Sequence, residues 1–244
     1  MPLGYKTAMF KITFVKRFSI LLALGFGATE LHAAAVTAEA NDDNGFSAAS
    51  GGDLPINNVV RVGTFDVPDS TISQNSTNPI FLNQHFIEFG KARIGTNGGP
   101  GQFSQTLENP NSNAQGFANK QIYLWVFNST DTSDQNFLGT AFEQGVFYLD
   151  MTTLVAQNFS ATAWRFRDNN EIPNDTVVDL TDLTTADPAT LAPGARIVIG
   201  QFPFGISSST GAPDFGLVQI PEPSSAGVLV ACAFGVMMRR RRSH

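Results

Sequence analysis

The sequence predicts an all-β protein, on three observations. Short apolar segments alternate with clusters of Gly, Asn, Asp, Ser, Thr and Pro, which is the spacing of strands joined by turns. No sustained 3.6-residue apolar period runs between the two ends of the chain, so long amphipathic helices are not expected. No internal repeat of fixed length occurs, which disfavours a solenoid or a propeller. We therefore expect a single β-sandwich over 59–219, either jelly-roll or immunoglobulin-like.

Two of the candidate strands also indicate their place in the sheets. Residues 121–127 form an unbroken apolar run, which is typical of a central strand covered on both faces. In 161–167, Trp164 and Phe166 alternate with arginines, as in a strand with one buried face. The candidate strands are 59–67, 85–94, 121–127, 145–151, 161–167, 176–183, 196–202 and 215–220.

A secretory signal peptide is predicted over residues 1–35. Basic residues precede an apolar run at 18–28, and small residues follow at its end. As a helix this run spans only about 16 Å, well short of a bilayer core of about 30 Å. Charge, apolar run and small residues in this order are typical of a cleaved signal, with Ala33 and Ala35 as the candidate cleavage positions. Residues 36–58 are rich in Ala, Asn, Asp, Ser and Gly and are predicted to be a flexible leader.

The C-terminal residues 220–244 combine a rigid polar tripeptide, an uncharged apolar span at 226–238 and a basic cluster. The tripeptide is Pro221, Glu222 and Pro223, and its prolines hold the backbone extended. The apolar span is predicted to be a short transmembrane segment that can partition into a bilayer, with the basic cluster on the cytoplasmic side. That cluster consists of Arg239, Arg240, Arg241 and Arg242.

This tail resembles a PEP-CTERM sorting signal, a type found in Gram-negative bacteria that make exopolysaccharide. The matching positions are 221–223, 226–238 and 239–242. The resemblance implies export through the Sec translocon, removal of the leader by signal peptidase and transient anchoring in the inner membrane. It further implies processing near the tripeptide by an exosortase and a final location at the cell surface or outside the cell. Exopolysaccharide is the candidate partner that this setting implies.

The charge of the chain argues against nucleic acid as a partner, and its cysteine content excludes an intrachain disulfide. The formal net charge is −6, and basic residues cluster at the two ends, so the body between them is acidic. Because phosphate binding requires clustered Lys or Arg, nucleic acid is not expected as a partner. The single cysteine, Cys232, lies in the apolar C-terminal span, so an intrachain disulfide cannot form. The fold must therefore rest on its hydrophobic core.

No catalytic constellation is recognisable between the two ends. His85 is the one histidine there, and no Gly-x-Ser-x-Gly elbow accompanies it. We predict a protein without enzymatic activity and without a cofactor, apart from calcium. Asp131 and Asp134 are the calcium candidates, because they lie in a run of oxygen-bearing side chains at 128–134.

Three functions remain open from the sequence. The first is a noncatalytic surface or extracellular-matrix protein in an exopolysaccharide layer. The second is a carbohydrate-binding module, which requires solvent-facing aromatic rings in a row. Its candidates are Trp125, Trp164, Tyr123 and Tyr148. The third is a carboxylate-dependent hydrolase, which requires a cleft with converging Asp or Glu side chains.

Overall fold

The computed structural model describes residues 34–130, 140–150, 164–168, 170–171 and 175–221. These residues are mostly β-strand, as the sequence predicts, with two short helices and one 3₁₀ helix. The strands are β1 (Ala34–Ala40), β2 (Phe46–Ser47), β3 (Val59–Phe65), β4 (Phe86–Arg93), β5 (Phe103–Asn109), β6 (Tyr123–Phe127), β7 (Glu143–Leu149), β8 (Asp175–Asp179), β9 (Ala195–Ile199), β10 (Gln201–Phe204), β11 (Asp214–Gly216) and β12 (Val218–Gln219). The helices are α1 (Asp69–Gln74), α2 (Pro79–Gln84) and the 3₁₀ helix Leu180–Leu183.

The largest sheet has six strands, and β6 lies near its centre. The strand order is β12-β7-β6-β3-β4, and β9 pairs with β7 beyond the point where β12 ends. All of these pairings are antiparallel. Every residue of β6 is buried, which confirms the sequence-based prediction of a central strand covered on both faces.

Two smaller sheets complete the described fold. In the first, β1 lies between β5, to which it is antiparallel, and β8, to which it is parallel. In the second, β11 lies between β10 and β2. Aromatic rings connect these sheets to the six-stranded one, because the ring of Phe147 on β7 lies 5.4 Å from that of Phe46 and 5.5 Å from that of Phe215. One hydrophobic core therefore serves all three sheets.

The prediction of a flexible leader over 36–58 is wrong. Residues 34–40 form β1, in which Ala34, Val36, Ala38 and Ala40 are each at most 2% exposed. The sequence does not reveal the alternation of buried and partly exposed side chains along β1. Alanine buries little apolar surface and has a low strand propensity, so an alanine-rich segment resembles a linker. Pairing on both sides with strands distant in the chain holds this segment in place.

The other strand predictions agree with the structure in position, except for 161–167, whose described residues show only an isolated bridge between Arg165 and Gln121. The predicted strand 196–202 divides into β9 and β10 at Gly200, whose φ of 133° is a conformation that favours glycine. The predicted strand 176–183 is a strand only in its first half, as β8, and its second half forms the 3₁₀ helix. Strand β5 escaped prediction because its sequence is mostly polar. Of segment 161–167 only the last four residues are described, and there Trp164 and Phe166 are buried.

Arg61 on β3 is a charged side chain that the core encloses. It is 6% exposed, and its guanidinium carbon lies 4.7 Å from the ring centroid of Phe86 and 5.1 Å from that of Trp125. Its Nε donates to Glu88 at 2.5 Å, and its Nη1 donates to Asn83 at 2.7 Å. A buried charge costs stability unless it is paired, and here a carboxylate, an amide and two rings compensate it.

The signal peptide predicted over 1–35 lies almost entirely outside the described residues, as do the apolar span 226–238 and the arginine cluster 239–242. Within the described part of the chain, no helix is both long and apolar enough to cross a membrane.

Matched substitutions on β1 test whether this segment is part of the core. We expect Ala38→Asn to lower the free energy of unfolding by about 3 kcal/mol, because it forces an amide into a site that is 0% exposed. Thr37→Asn introduces the same side chain on the opposite face of the strand and should cost about 1 kcal/mol or less. Urea unfolding measures both, and equal tolerance of the two variants would contradict the buried strand.

Candidate functional site

The aromatic residues proposed as a sugar-stacking row lie in the core. Trp125 and Trp164 are fully buried, Tyr123 is 8% exposed and Tyr148 is 6% exposed. The indole nitrogen of Trp125 donates to Gln144 Oε1 at 2.9 Å. These four side chains therefore present no row of rings to solvent, and the carbohydrate-binding hypothesis loses the residues on which the sequence based it.

The two tyrosines instead converge on one carboxylate. Tyr123 Oη donates to Asp69 Oδ1 at 2.9 Å, and Tyr148 Oη donates to Asp69 Oδ2. Asp69 lies in the first turn of α1, so the pair ties that helix to β6 and β7. Burial, followed by the charge and hydrogen bonds of Asp69, raises the pKa of both tyrosines well above the ordinary value near 10.

Two further buried carboxylates are also engaged in hydrogen bonds within the fold. Glu143 Oε2 accepts from the backbone N–H of Ala49 and from Asn128 Nδ2, each at 3.0 Å. Asp214 accepts from Ser47 Oγ at 2.7 Å and from the backbone N–H of Gly45 at 2.8 Å. Burial raises the pKa of Asp214, while these two hydrogen bonds act in the opposite direction. Both carboxylates connect strands to neighbouring loops.

His85 forms a surface pair with Asp66, whose Oδ1 lies 2.8 Å from Nδ1 of the imidazole. The ring of Phe81 lies 4.5 Å from the imidazole centroid. A histidine held by a carboxylate is two-thirds of a hydrolytic triad, but no hydrogen bond joins His85 to a serine among the described residues. The pair connects the end of α2 to the loop after β3.

A cleft of about 510 Å³ opens at one end of the strands of the six-stranded sheet. Because the strands are antiparallel, the start of β3, the end of β6, the start of β7 and the end of β12 meet at this end of the sheet. Ligand sites of proteins commonly enclose between roughly 300 and 1,000 Å³. The cleft is lined by Pro55, Asn58, Asn128, Ser129, Thr130, Thr140 and Phe142.

The chemistry of this cleft is uncharged and polar, with one exposed ring. Asn58 is 1% exposed, and its Nδ2 donates to Pro55 O at 2.8 Å, but its Oδ1 has no hydrogen-bond partner. Ser129 Oγ and Thr140 Oγ1 are 2.8 Å apart. Phe142 is 63% exposed and is the one aromatic among the exposed large hydrophobic residues of the described chain.

Sequence reasoning missed Asn58 and Phe142. Asn58 precedes β3 and Phe142 precedes β7, so only the pairing of distant strands brings them to one cleft. The one local signal was the polar run that begins at Asn128, which the sequence offered as a calcium site. Asp131 and Asp134 themselves lie outside the described residues. In the described part of the chain, no three His, Cys, Asp or Glu side chains converge as metal ligands.

The predicted processing residues are described only in part. Ala35 lies in β1, where it pairs with Glu108 and Asp175, whereas Ala33 lies outside the described residues. Pro221 is exposed and is the last residue described, so Glu222 and Pro223 lie beyond it. The N–H of Ile220 donates to Phe142 O at 2.8 Å. The last described residues of the chain therefore lie beside the cleft.

In comparisons with known proteins, no protein-family model, no curated protein and no solved structure matches this chain.

The tyrosine pair makes the stability of the fold sensitive to alkali. Because the folded pKa of both hydroxyls is raised, the folded state keeps protons that the unfolded chain releases above about pH 10. The stability that the pair contributes is therefore complete below about pH 10 and is lost as the pH rises beyond it. We expect the double variant Tyr123→Phe, Tyr148→Phe to lose less stability than the unaltered protein over this range.

Urea unfolding at about pH 8 and about pH 11 measures this difference, with tyrosinate absorbance as a second readout. The two proteins differ only at these two hydroxyls, so every other effect of alkali is common to both and cancels in the comparison. An identical alkaline loss of stability in the two proteins would contradict the proposed coupling.

Proposed function

We propose that this chain is an exported, noncatalytic protein of the cell surface or the extracellular matrix. Its leader is removed by signal peptidase after Sec export, and its C-terminal tail anchors it transiently in the inner membrane. An exosortase that recognises the PEP-CTERM signal then processes it near Pro221–Pro223. The setting of this protein is an exopolysaccharide layer, as in a biofilm.

One observation carries this proposal: a β-rich domain lies between the two sequence signals. Its first strand begins at Ala34, among the small residues that end the leader. Its last strand ends at Gln219, two residues before Pro221. The described strands thus begin and end close to the two positions where processing is proposed.

The positions of the carboxylates favour a noncatalytic role over a carboxylate-dependent hydrolase. Asp69, Glu143 and Asp214 each accept two hydrogen bonds from groups of the fold. The described cleft is lined by uncharged side chains, whereas a hydrolase of that type requires two carboxyl groups facing one cavity.

We propose that the domain is a single β-sandwich. In support, Phe46 on β2 stacks with Phe103 on β5 at 6.3 Å and contacts Phe147 on β7 at 5.4 Å. Contacts of this kind join the inner faces of packed sheets in sandwich folds. A second candidate function, carbohydrate binding, is favoured by the exposed ring of Phe142 at the cleft.

Alanine replacement of the tripeptide tests the sorting route. We expect the variant with Pro221, Glu222 and Pro223 all changed to alanine to accumulate as a precursor at the inner membrane, because the exosortase no longer recognises it. Cell fractionation followed by immunoblotting measures the distribution. Ser224→Ala with Ser225→Ala is the matched control beside the motif and should be processed normally. Unchanged processing of the tripeptide variant would refute the exosortase assignment.

The fold sets limits on where both cuts fall. We expect the mature protein to retain Val36 through Gln219, because β1 is buried at the first of these positions and β12 pairs with β7 at the second. Intact-mass analysis of protein from the envelope and the culture medium measures both ends. A cut between Val36 and Gln219, or a mature species that retains residues 224–244, would contradict the processing that we propose.

A further inference from the structure

We infer that the cleft beside the start of β3 and the end of β6 binds an uncharged sugar unit. In this complex Phe142 stacks on the sugar, and Asn58 accepts a hydrogen bond from one of its hydroxyls. This inference deepens the proposed role in an exopolysaccharide layer and rests on that role for the source of the sugar. The site differs from the aromatic row that the sequence offered, because those aromatic residues are buried.

First, the side-chain oxygen Oδ1 of Asn58 is a buried acceptor without a hydrogen-bond donor. The side chain lines the cleft at 1% exposure, and its Oδ1 has no partner although its Nδ2 is bound to Pro55 O. A buried acceptor without a donor costs about 1–3 kcal/mol, so native proteins rarely leave one unless a ligand or water supplies the donor. The missing group is therefore a hydrogen-bond donor, such as a hydroxyl.

The second step is the exposed ring of Phe142. A phenylalanine in the strands of this protein is normally buried, as Phe127 and Phe147 are, yet Phe142 beside the same strands is 63% exposed. Its backbone is fixed, because its carbonyl oxygen accepts from the N–H of Ile220. An exposed aromatic ring at a cleft offers stacking to a flat apolar surface, such as the C–H face of a pyranose ring.

The third step is the absence of charge around the described cleft. Its lining contains amides, hydroxyls, a proline and the phenyl ring, but no Lys, Arg, Asp, Glu or His. Oε2 of the nearby Glu143 accepts two N–H groups of the fold. Without cations the cleft has no means of compensating the charge of a phosphate or an uronate. A ligand with hydroxyls, an apolar face and no charge is a neutral sugar.

The test is calorimetric titration of the purified protein with neutral oligosaccharides of glucose, galactose, mannose and N-acetylglucosamine. A polyguluronate oligomer is the charged comparator, and hexaglycine is the peptide comparator. Phe142→Ala should weaken binding about tenfold, and Asn58→Ala, which removes the acceptor, should weaken it about fivefold. Phe142→Tyr keeps the ring and should bind within about twofold of the unaltered protein.

Ile80→Ala is the matched control, because Ile80 is 64% exposed on α2, outside the cleft lining. It should leave binding unchanged, and urea unfolding confirms that each variant is folded. The inference is overturned if no neutral oligosaccharide binds, if Phe142→Ala binds as well as the unaltered protein, or if only the uronate or the peptide binds. Because these titrations use purified protein, their failure would leave the sorting proposal to be decided by fractionation.

Discussion

Packing of aromatic side chains against the buried strand β6 is the interaction on which the rest of the structure depends. Trp125 at the middle of that strand contacts the rings of Phe65, Phe86 and Phe127 and lies against the guanidinium of Arg61. The one cysteine of the chain lies in the C-terminal span, so no disulfide supports this core. Burial of large rings contributes the most apolar area per residue, and it allows three sheets to share one interior.

A core of this kind leaves polar groups buried among the strands, and the fold satisfies them almost completely. Asp69 accepts from two tyrosines, and Glu143 and Asp214 each connect a strand to a loop. Against this pattern the unpartnered Oδ1 of Asn58 stands apart, because it is the one buried side-chain polar atom without a partner among the described residues. The exception belongs to a residue that lines the cleft.

The last described residues of the chain lie at the same end of the sheet as the cleft. Ile220 is hydrogen-bonded to Phe142, and the next residue begins the predicted sorting motif. In the proposed route, the tail tethers the protein to a membrane from this end of the domain until an exosortase removes the tail. The hydrogen bond between Ile220 and Phe142 brings the cleft close to the proposed sorting motif, although the cleft residues come from three separate parts of the chain.

The sequence by itself determined the β class and the position of β6, and it predicts the two terminal signals, because each depends on local patterns of hydrophobicity, turn residues and charge. It did not reveal β1, since alanines form a buried strand only when partners distant in the chain cover both edges. It placed Tyr123 and Tyr148 among exposed candidates, whereas the tertiary structure buries them around Asp69. Asn58 and Phe142 form one cleft only after β3 and β7 pair with β6, so strand pairing alone decided the candidate site.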